Sequence, residues 1–230
     1  MTVNPFIADK SSSFGGQFKI HPDTGELSTG SEPLDREVQD KYTLIVQAYD
    51  NYHFGFTTGE SRHSFAQVVI SITDVNDQVP IFESNEDSLE HNCAIINEFH
   101  DTNEPVLVAR ATDNDDPRTP NGKVQFNIES GNDLKLFKME KNGVLYPNKS
   151  LKGFYGNYSL NIIASDQGIP PNSAVKKFSI CIQDFNDNAP KFITPPKNFT
   201  VRVPENASLG SDIIAVQAID TDIGSNGAIR

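Results

Sequence analysis

The chain carries the same short acidic turn twice, DVNDQVP at 74–80 and DFNDNAP at 184–190, with Asp74 and Asp184 standing 110 positions apart. Asp, Asn and Pro are ordinary turn residues, but a turn has no reason to repeat its chemistry at the length of a domain. Other stretches share the period. KYTLIVQAYD (41–50) matches NYSLNIIASD (157–166), and LVARATDND (107–115) matches IAVQAIDTD (214–222). Several motifs at one spacing mark a tandem array with units of roughly 110 residues.

The phase of the array predicts where the units fall. The turns close units near Pro80 and Pro190, so 1–80 reads as the latter part of one unit, 81–190 as a complete unit and 191–230 as the beginning of a third. On this reading Met1 opens and Arg230 closes in mid-unit. Within units the pattern is β. Tyr42, Leu44, Val46 and Ala48 alternate with more polar neighbours, as do Ala66, Val68, Ile70 and Ile72. The second unit repeats this with Val124, Phe126 and Ile128, with Tyr158, Leu160, Ile162 and Ala164, and with Phe178, Ile180 and Ile182. Period two over such stretches means strands with one buried face. Strands at this spacing between Gly, Pro and Asn predict an all-β sandwich of about seven strands per unit. No long amphipathic helix is legible.

Composition narrows the function classes. A formal charge of −12 argues against backbone contacts to nucleic acid, which need clustered Lys and Arg. No segment approaches the roughly 18 continuous apolar residues of a membrane span, and MTVNPFIADK lacks the apolar core and cleavage site of a signal peptide. Four Asn-x-Ser/Thr acceptors, at Asn148, Asn157, Asn198 and Asn206, suit a secreted surface. No G-x-S-x-G nucleophile motif is present. The five His residues, at 21, 53, 63, 91 and 100, lack metalloprotease spacing. A catalytic reading has little behind it.

The acids gather where units meet: Asp35 and Glu37 in LDRE, Asp74 and Asp77 in the turn, then Asp113 and Asp115. If the fold draws them together, their repulsion must be neutralised, and Arg36 alone cannot do it. Hard oxygen donors in such number favour Ca²⁺, which accepts six to eight of them in flexible geometry. Mg²⁺ wants a stricter octahedron, and zinc wants His and Cys. DNDDPRTPNG lacks the central Gly and terminal Glu of an EF-hand loop. The bland alternative, solvated turn residues, does not explain why the turns repeat.

LDRE, the A-x-D stretches, D-x-N-D-x-x-P, PEN within VRVPENASLG, and DTDIGSNG occur in this order. Together they resemble the extracellular repeats of the cadherin superfamily, over essentially the whole chain. The resemblance implies tandem Greek-key β-sandwiches of immunoglobulin-like architecture, with Ca²⁺ stiffening each junction. It implies the plasma membrane's extracellular side, a membrane segment outside this stretch, and calcium-dependent, homophilic cell–cell adhesion to a cadherin ectodomain on an opposing or the same cell. A spacer or mechanical tether, or a receptor for a heterophilic ligand, is the alternative built from the same repeats. A receptor of calcium-independent fibronectin-like sandwiches fits less well, since such modules need no carboxylates at their joints.

Carried over by motif, the ligands of the first junction are Asp35, Glu37, Asp74, Asn76, Asp77, Asp113, Asp115, Asn121 and Asp166, with main-chain oxygens from Val75 and Gln78. The family's basal glutamate for the first unit falls before Met1. In the second unit it registers on Glu98, which stands 15 positions before Asp113 as Glu205 does before Asp220. The second junction keeps Asp184, Asn186, Asp187, Asp220, Asp222 and Asn226, but LDRE has become LKGF, with Lys152 and Phe154 near the expected acids. That departure predicts loss of the outermost calcium site there and a more flexible or bent joint, the alternative being that another residue supplies the missing oxygens. Cys93 and Cys181 fall near the first and last strands of one unit, and either a disulfide or two buried thiols fits the sequence. SSSFGG (11–16) reads as a surface loop, and NYHFGFTTGESRHS (51–64) as a longer inter-strand connection that offers a contact surface or is an inert insertion.

Overall fold

Alternating apolar residues become paired strands in the described part of both units. The computed structural model describes residues 2–6, 16–21, 23–49, 63–83, 93–196 and 198–230. Residues 11–15, Asp50 and residues 51–62 of the two loops singled out above lie outside them. The chain divides into two compact units, Met1–Gln78 with Asn114–Gly122 and Gly168–Pro170, and Val79–Asp113 with Lys123–Gln167 and Pro171–Arg230. Among the described residues there is no helix, and so none long and apolar enough to cross a membrane.

In the first unit β1 (Thr2–Phe6), β4 (Lys41–Tyr49) and β5 (His63–Ser71) form an antiparallel sheet in the order β1-β4-β5. β2 (Phe18–Ile20) and β3 (Leu27–Thr29) make a hairpin. Tyr42 and Leu44 are buried on one face of β4, and the Phe18 ring meets the Tyr42 ring edge-on at 5.0 Å. Along β5 the period of two shows only in the second half, where Val68 and Ile70 are half-buried, while Ala66 in the first half is exposed.

The second unit adds β6 (Ile81–Phe82), β7 (Ala94–Asn97), β8 (Leu107–Val108), β9 (Ala111–Thr112), β10 (Gln125–Ser130), β11 (Phe137–Met139), β12 (Val144–Pro147), β13 (Gly156–Ser165), β14 (Ser173–Gln183), β15 (Lys191–Thr194) and β16 (Gln217–Ile219). One sheet has the order β10-β13-β14-β7 and another the order β11-β12-β8. β7 runs parallel to β14 with Ala94 opposite Ile180, so the early and late strands of this unit are neighbours. The inward residues of β13 (Leu160, Ile162, Ala164) and β14 (Phe178, Ile180, Ile182) pack with Phe126, Leu136, Phe137, Leu145 and Leu151 in one core. This is a sandwich: two sheets bury alternate residues against each other, while the residues between these buried ones in β13 and β14 are half-buried. β6 pairs with β9, and β15 with β16, in two further two-stranded sheets.

Cys93 and Cys181 form a disulfide with Cα atoms 6.0 Å apart. The parallel β7–β14 pairing produces the proximity that spacing alone left open. Asn148, Asn157, Asn198 and Asn206 are all exposed.

Candidate metal centres

Each acidic turn follows a long strand, and a second loop closes on it through one shared set of backbone contacts. In the first unit the turn at 74–78 follows β5 and meets the loop 114–122. The buried Asp74 carboxylate is the hub. Its Oδ1 accepts the Asp116 N–H at 3.0 Å and faces Arg36 Nε at 2.7 Å. Its Oδ2 accepts the Thr119 hydroxyl and the Asn121 side-chain amide, each at 2.8 Å. Burial pushes the Asp74 carboxyl upward. The Asp116 N–H, the Thr119 hydroxyl, the Asn121 amide and the Arg36 charge outweigh it and hold the group below the usual carboxylate range.

Around this hub Glu37, Asp77 and Asp115 each offer a carboxylate oxygen, all within 4.8 Å of one another. Asp115 is 0% exposed, and its Oδ2 accepts the Gln78 N–H at 3.4 Å. Two carboxylate charges about 4 Å apart repel by about 4 kcal/mol even at an effective dielectric of 20. The donors are all oxygen, with no His or Cys, which is the set a hard divalent cation takes. The group therefore fits Ca²⁺.

Other nominated residues make contacts of their own. Asp35 lies outside this triad: its Oδ1 accepts the Val38 N–H at 3.1 Å and closes a local turn. Asn76 donates to the Pro170 carbonyl at 2.7 Å. Asn121 buttresses Asp74 through its amide nitrogen. In the second unit the carboxylates of Asp113 and Asp166 have oxygens within 4.8 Å of each other, and the Asn172 N–H donates to Asp166 Oδ2 at 2.9 Å.

Thr119 and Asp116 escaped the sequence reading, as did the partners of Arg36. Arg36 pairs with Glu37, faces Asp74 and donates to the Asn114 carbonyl at 2.9 Å. Thr119 donates to Asp74. Asp116 is engaged bidentately by Arg118, whose side-chain hydrogen bonds lead in lowering its pKa to about 2. The one signal that could have found the loop closure is Asn-Gly, present in both loops. A Cβ on Gly122 would lie 2.5 Å from the Asp115 carbonyl, and one on Gly227 would lie 2.0 Å from the Asp222 carbonyl.

The second acidic turn, 184–190, follows β14 and repeats these backbone contacts. Asp184 Oδ2 accepts the Ile223 N–H at 2.9 Å and the Asn226 amide at 3.3 Å. Asp222, itself buried, accepts the Asn188 N–H at 3.1 Å, and Asp220 Oδ1 accepts the Asp222 N–H at 2.9 Å. Asn186 is exposed. Glu98, 1% exposed at the end of β7, accepts N–H groups of Gly153 at 2.9 Å and Phe185 at 3.4 Å. Burial first, then the nearby Glu98 and Asp184 carboxylates, push the Tyr155 phenol upward. Lys152 Nζ lies 2.9 Å from Asp187 Oδ2 and 4.9 Å from the centre of the Phe99 ring. The hydrogen bond to Asp187 and its charge raise the lysine's pKa. Among the described residues, no triad like Glu37–Asp77–Asp115 forms at this turn.

The family model described as Cadherin domain matches residues 3–73 and 94–183. The chain is 33% identical to human Cadherin-23 over 214 residues, which covers 93% of this chain and 6% of that protein. It is 34% identical to mouse Protocadherin-15, covering 93% of this chain and 10% of that protein. The chain thus spans a small part of the relatives it matches. Among solved structures, a Protocadherin gammaB7 EC3-6 cis-dimer superimposes with a TM-score of 0.72 at 25% identity, over 98% of this chain and 52% of that one. The Protocadherin GammaB4 extracellular domain gives 0.71 at 25% identity, over 98% and 35%.

Proposed function

The chain belongs to the cadherin family, and from that premise we propose that it is a calcium-binding ectodomain segment of a receptor for calcium-dependent, homophilic cell–cell adhesion. Cadherin repeats are extracellular, calcium-binding adhesion modules and not enzymes. The observation that carries the calcium part to this chain is the Glu37–Asp77–Asp115 triad. On this reading those three residues are ligands, and Asp74 orders the turn that presents Asp77. Ca²⁺ supplies the positive charge that turns mutual repulsion into cross-linking. Without it the linker turn loosens; with it the turn holds one geometry and presents the receptor to a cadherin ectodomain on another cell.

Two measurements test this. Calorimetric titration of the chain with calcium is expected to show saturable binding that Asp77→Asn with Asp115→Asn removes at the first turn. Beads coated with the intact ectodomain are expected to aggregate in calcium and disperse in chelator. Beads that never aggregate alone, but bind a differently coated population, would replace homophilic adhesion with a heterophilic partner. Absence of calcium binding would remove the mechanism.

A further inference from the structure

We propose that the Lys152 ammonium replaces one calcium ion at the second acidic turn, so that this turn binds fewer ions than the first and keeps a cross-link that calcium removal leaves intact. The proposal deepens the calcium reading above and rests on it.

The two turns are a controlled comparison inside one chain. Asp77 and Asp187 hold the same place in DVNDQVP and DFNDNAP, while Asp35, Arg36 and Glu37 of LDRE correspond to Lys152, Gly153 and Phe154 of LKGF. The second turn has not decayed as a whole. Its Asn188 N–H reaches Asp222 as the Gln78 N–H reaches Asp115, and its Ile223 N–H reaches Asp184 as the Asp116 N–H reaches Asp74. The turn and loop keep the same net charge at both places, and the charge differs on the side that LDRE supplies. There Asp77 shares a carboxylate cluster with Glu37 and Asp115, whereas Asp187 pairs with Lys152 at 2.9 Å.

Charge and donor count agree. Asp35, Arg36 and Glu37 together carry net −1, while Lys152, Gly153 and Phe154 carry net +1. The exchange adds two positive charges, the charge of one Ca²⁺. It also replaces Glu37, one of the three triad carboxylates, with a phenyl ring where a cation needs six to eight oxygens, and an ammonium offers donors only. Glu98, the remaining acid on that side, accepts the Gly153 and Phe185 N–H groups.

Calcium bound by the full chain is counted by equilibrium dialysis at saturating metal, with circular dichroism verifying the fold. The variants are Lys152→Asp combined with Phe154→Glu, and Lys152→Gln alone. Restoring both acids is expected to add about one ion per chain. Lys152→Gln adds no carboxylate but frees Asp187, and is expected to tighten the second turn's remaining ions by about threefold or more. An unchanged count in the folded double variant overturns the proposal. So does an unchanged or weakened affinity in Lys152→Gln, which decides the matter alone if the double variant does not fold. Wild-type chain that binds no calcium overturns this proposal together with the calcium reading. Wild type that binds equal numbers at both turns overturns this one and leaves the calcium reading standing.

Discussion

Asp74 and Asp115 divide the labour at the first turn: one holds the loop, and the other faces its fellow acids. Their substitutions should therefore fail differently. Asp115→Asn keeps the side chain's shape and is expected to weaken calcium binding by about tenfold or more, since ligand charge sets affinity in oxygen sites, with little change in the melting temperature of the calcium-free chain. Asp74→Ala removes an acceptor of three hydrogen bonds and the ion-pair partner of Arg36 and is expected to destabilise the calcium-free chain as well, by about 1–3 kcal/mol, readable as a lower urea midpoint. The acid limb of stability follows from the same groups. Asp74 and Asp116 both have folded-state pKa values below those of the unfolded chain, Asp116 at about 2. Their stabilisation is complete above the unfolded carboxylate value of about 4 and is lost as pH falls through the folded values. Calcium-free melting temperatures are thus expected to fall between about pH 4 and pH 2, and Arg118→Ala should flatten the lower part of that fall. At this scale the acids were legible because they recur. Their separate tasks were not, because Asp35 closing onto Val38 and Thr119 reaching Asp74 are matters of loop shape.

Strands were legible further. Leu160, Ile162 and Ala164 alternate in the sequence and are buried in β13, and Phe178, Ile180 and Ile182 do the same in β14. Ala66 departs from the pattern because β5 presents it to solvent even where Val68 and Ile70 are half-buried. Leu160→Ala, at a position with no exposure, is expected to cost about 2–5 kcal/mol, measured by denaturant unfolding. The pairing of β7 with β14 was beyond sequence, and with it the fate of the cysteines, since a disulfide needs Cα atoms within about 7 Å. Reduction, or Cys93→Ser with Cys181→Ser, is expected to lower stability by about 2–5 kcal/mol and the melting temperature by about 10 °C or more. In the loops, Gly122→Ala and Gly227→Ala should each push a methyl group into the carbonyl of Asp115 or Asp222 and so lower calcium affinity at one turn while sparing the other.

For the molecule as a whole, the net charge of −12 and the calcium reading combine into one expectation. A cation that binds only the folded chain stabilises it by mass action, about 2.7 kcal/mol at a hundredfold excess over Kd. Differential scanning calorimetry should show melting rise with calcium and fall with chelator, and added monovalent salt should recover only the screened part of the loss. The recurrence of the acidic turn was the plainest feature of the sequence, because turn chemistry alone gives no reason for the same acids to return at the length of a domain. The disulfide adds a property of another kind. Cys93 and Cys181 bracket nearly all the chain between β7 and the end of β14, a separation of 88 residues. A pull applied along the chain enters near one sulfur and leaves near the other, so the tension crosses a covalent bond and bypasses the sandwich. The bracketed segment would reach about 300 Å if drawn straight. With the bond intact that length is withheld, and the repeat behaves under load as an inextensible link; with it reduced, the same repeat becomes a reserve of slack.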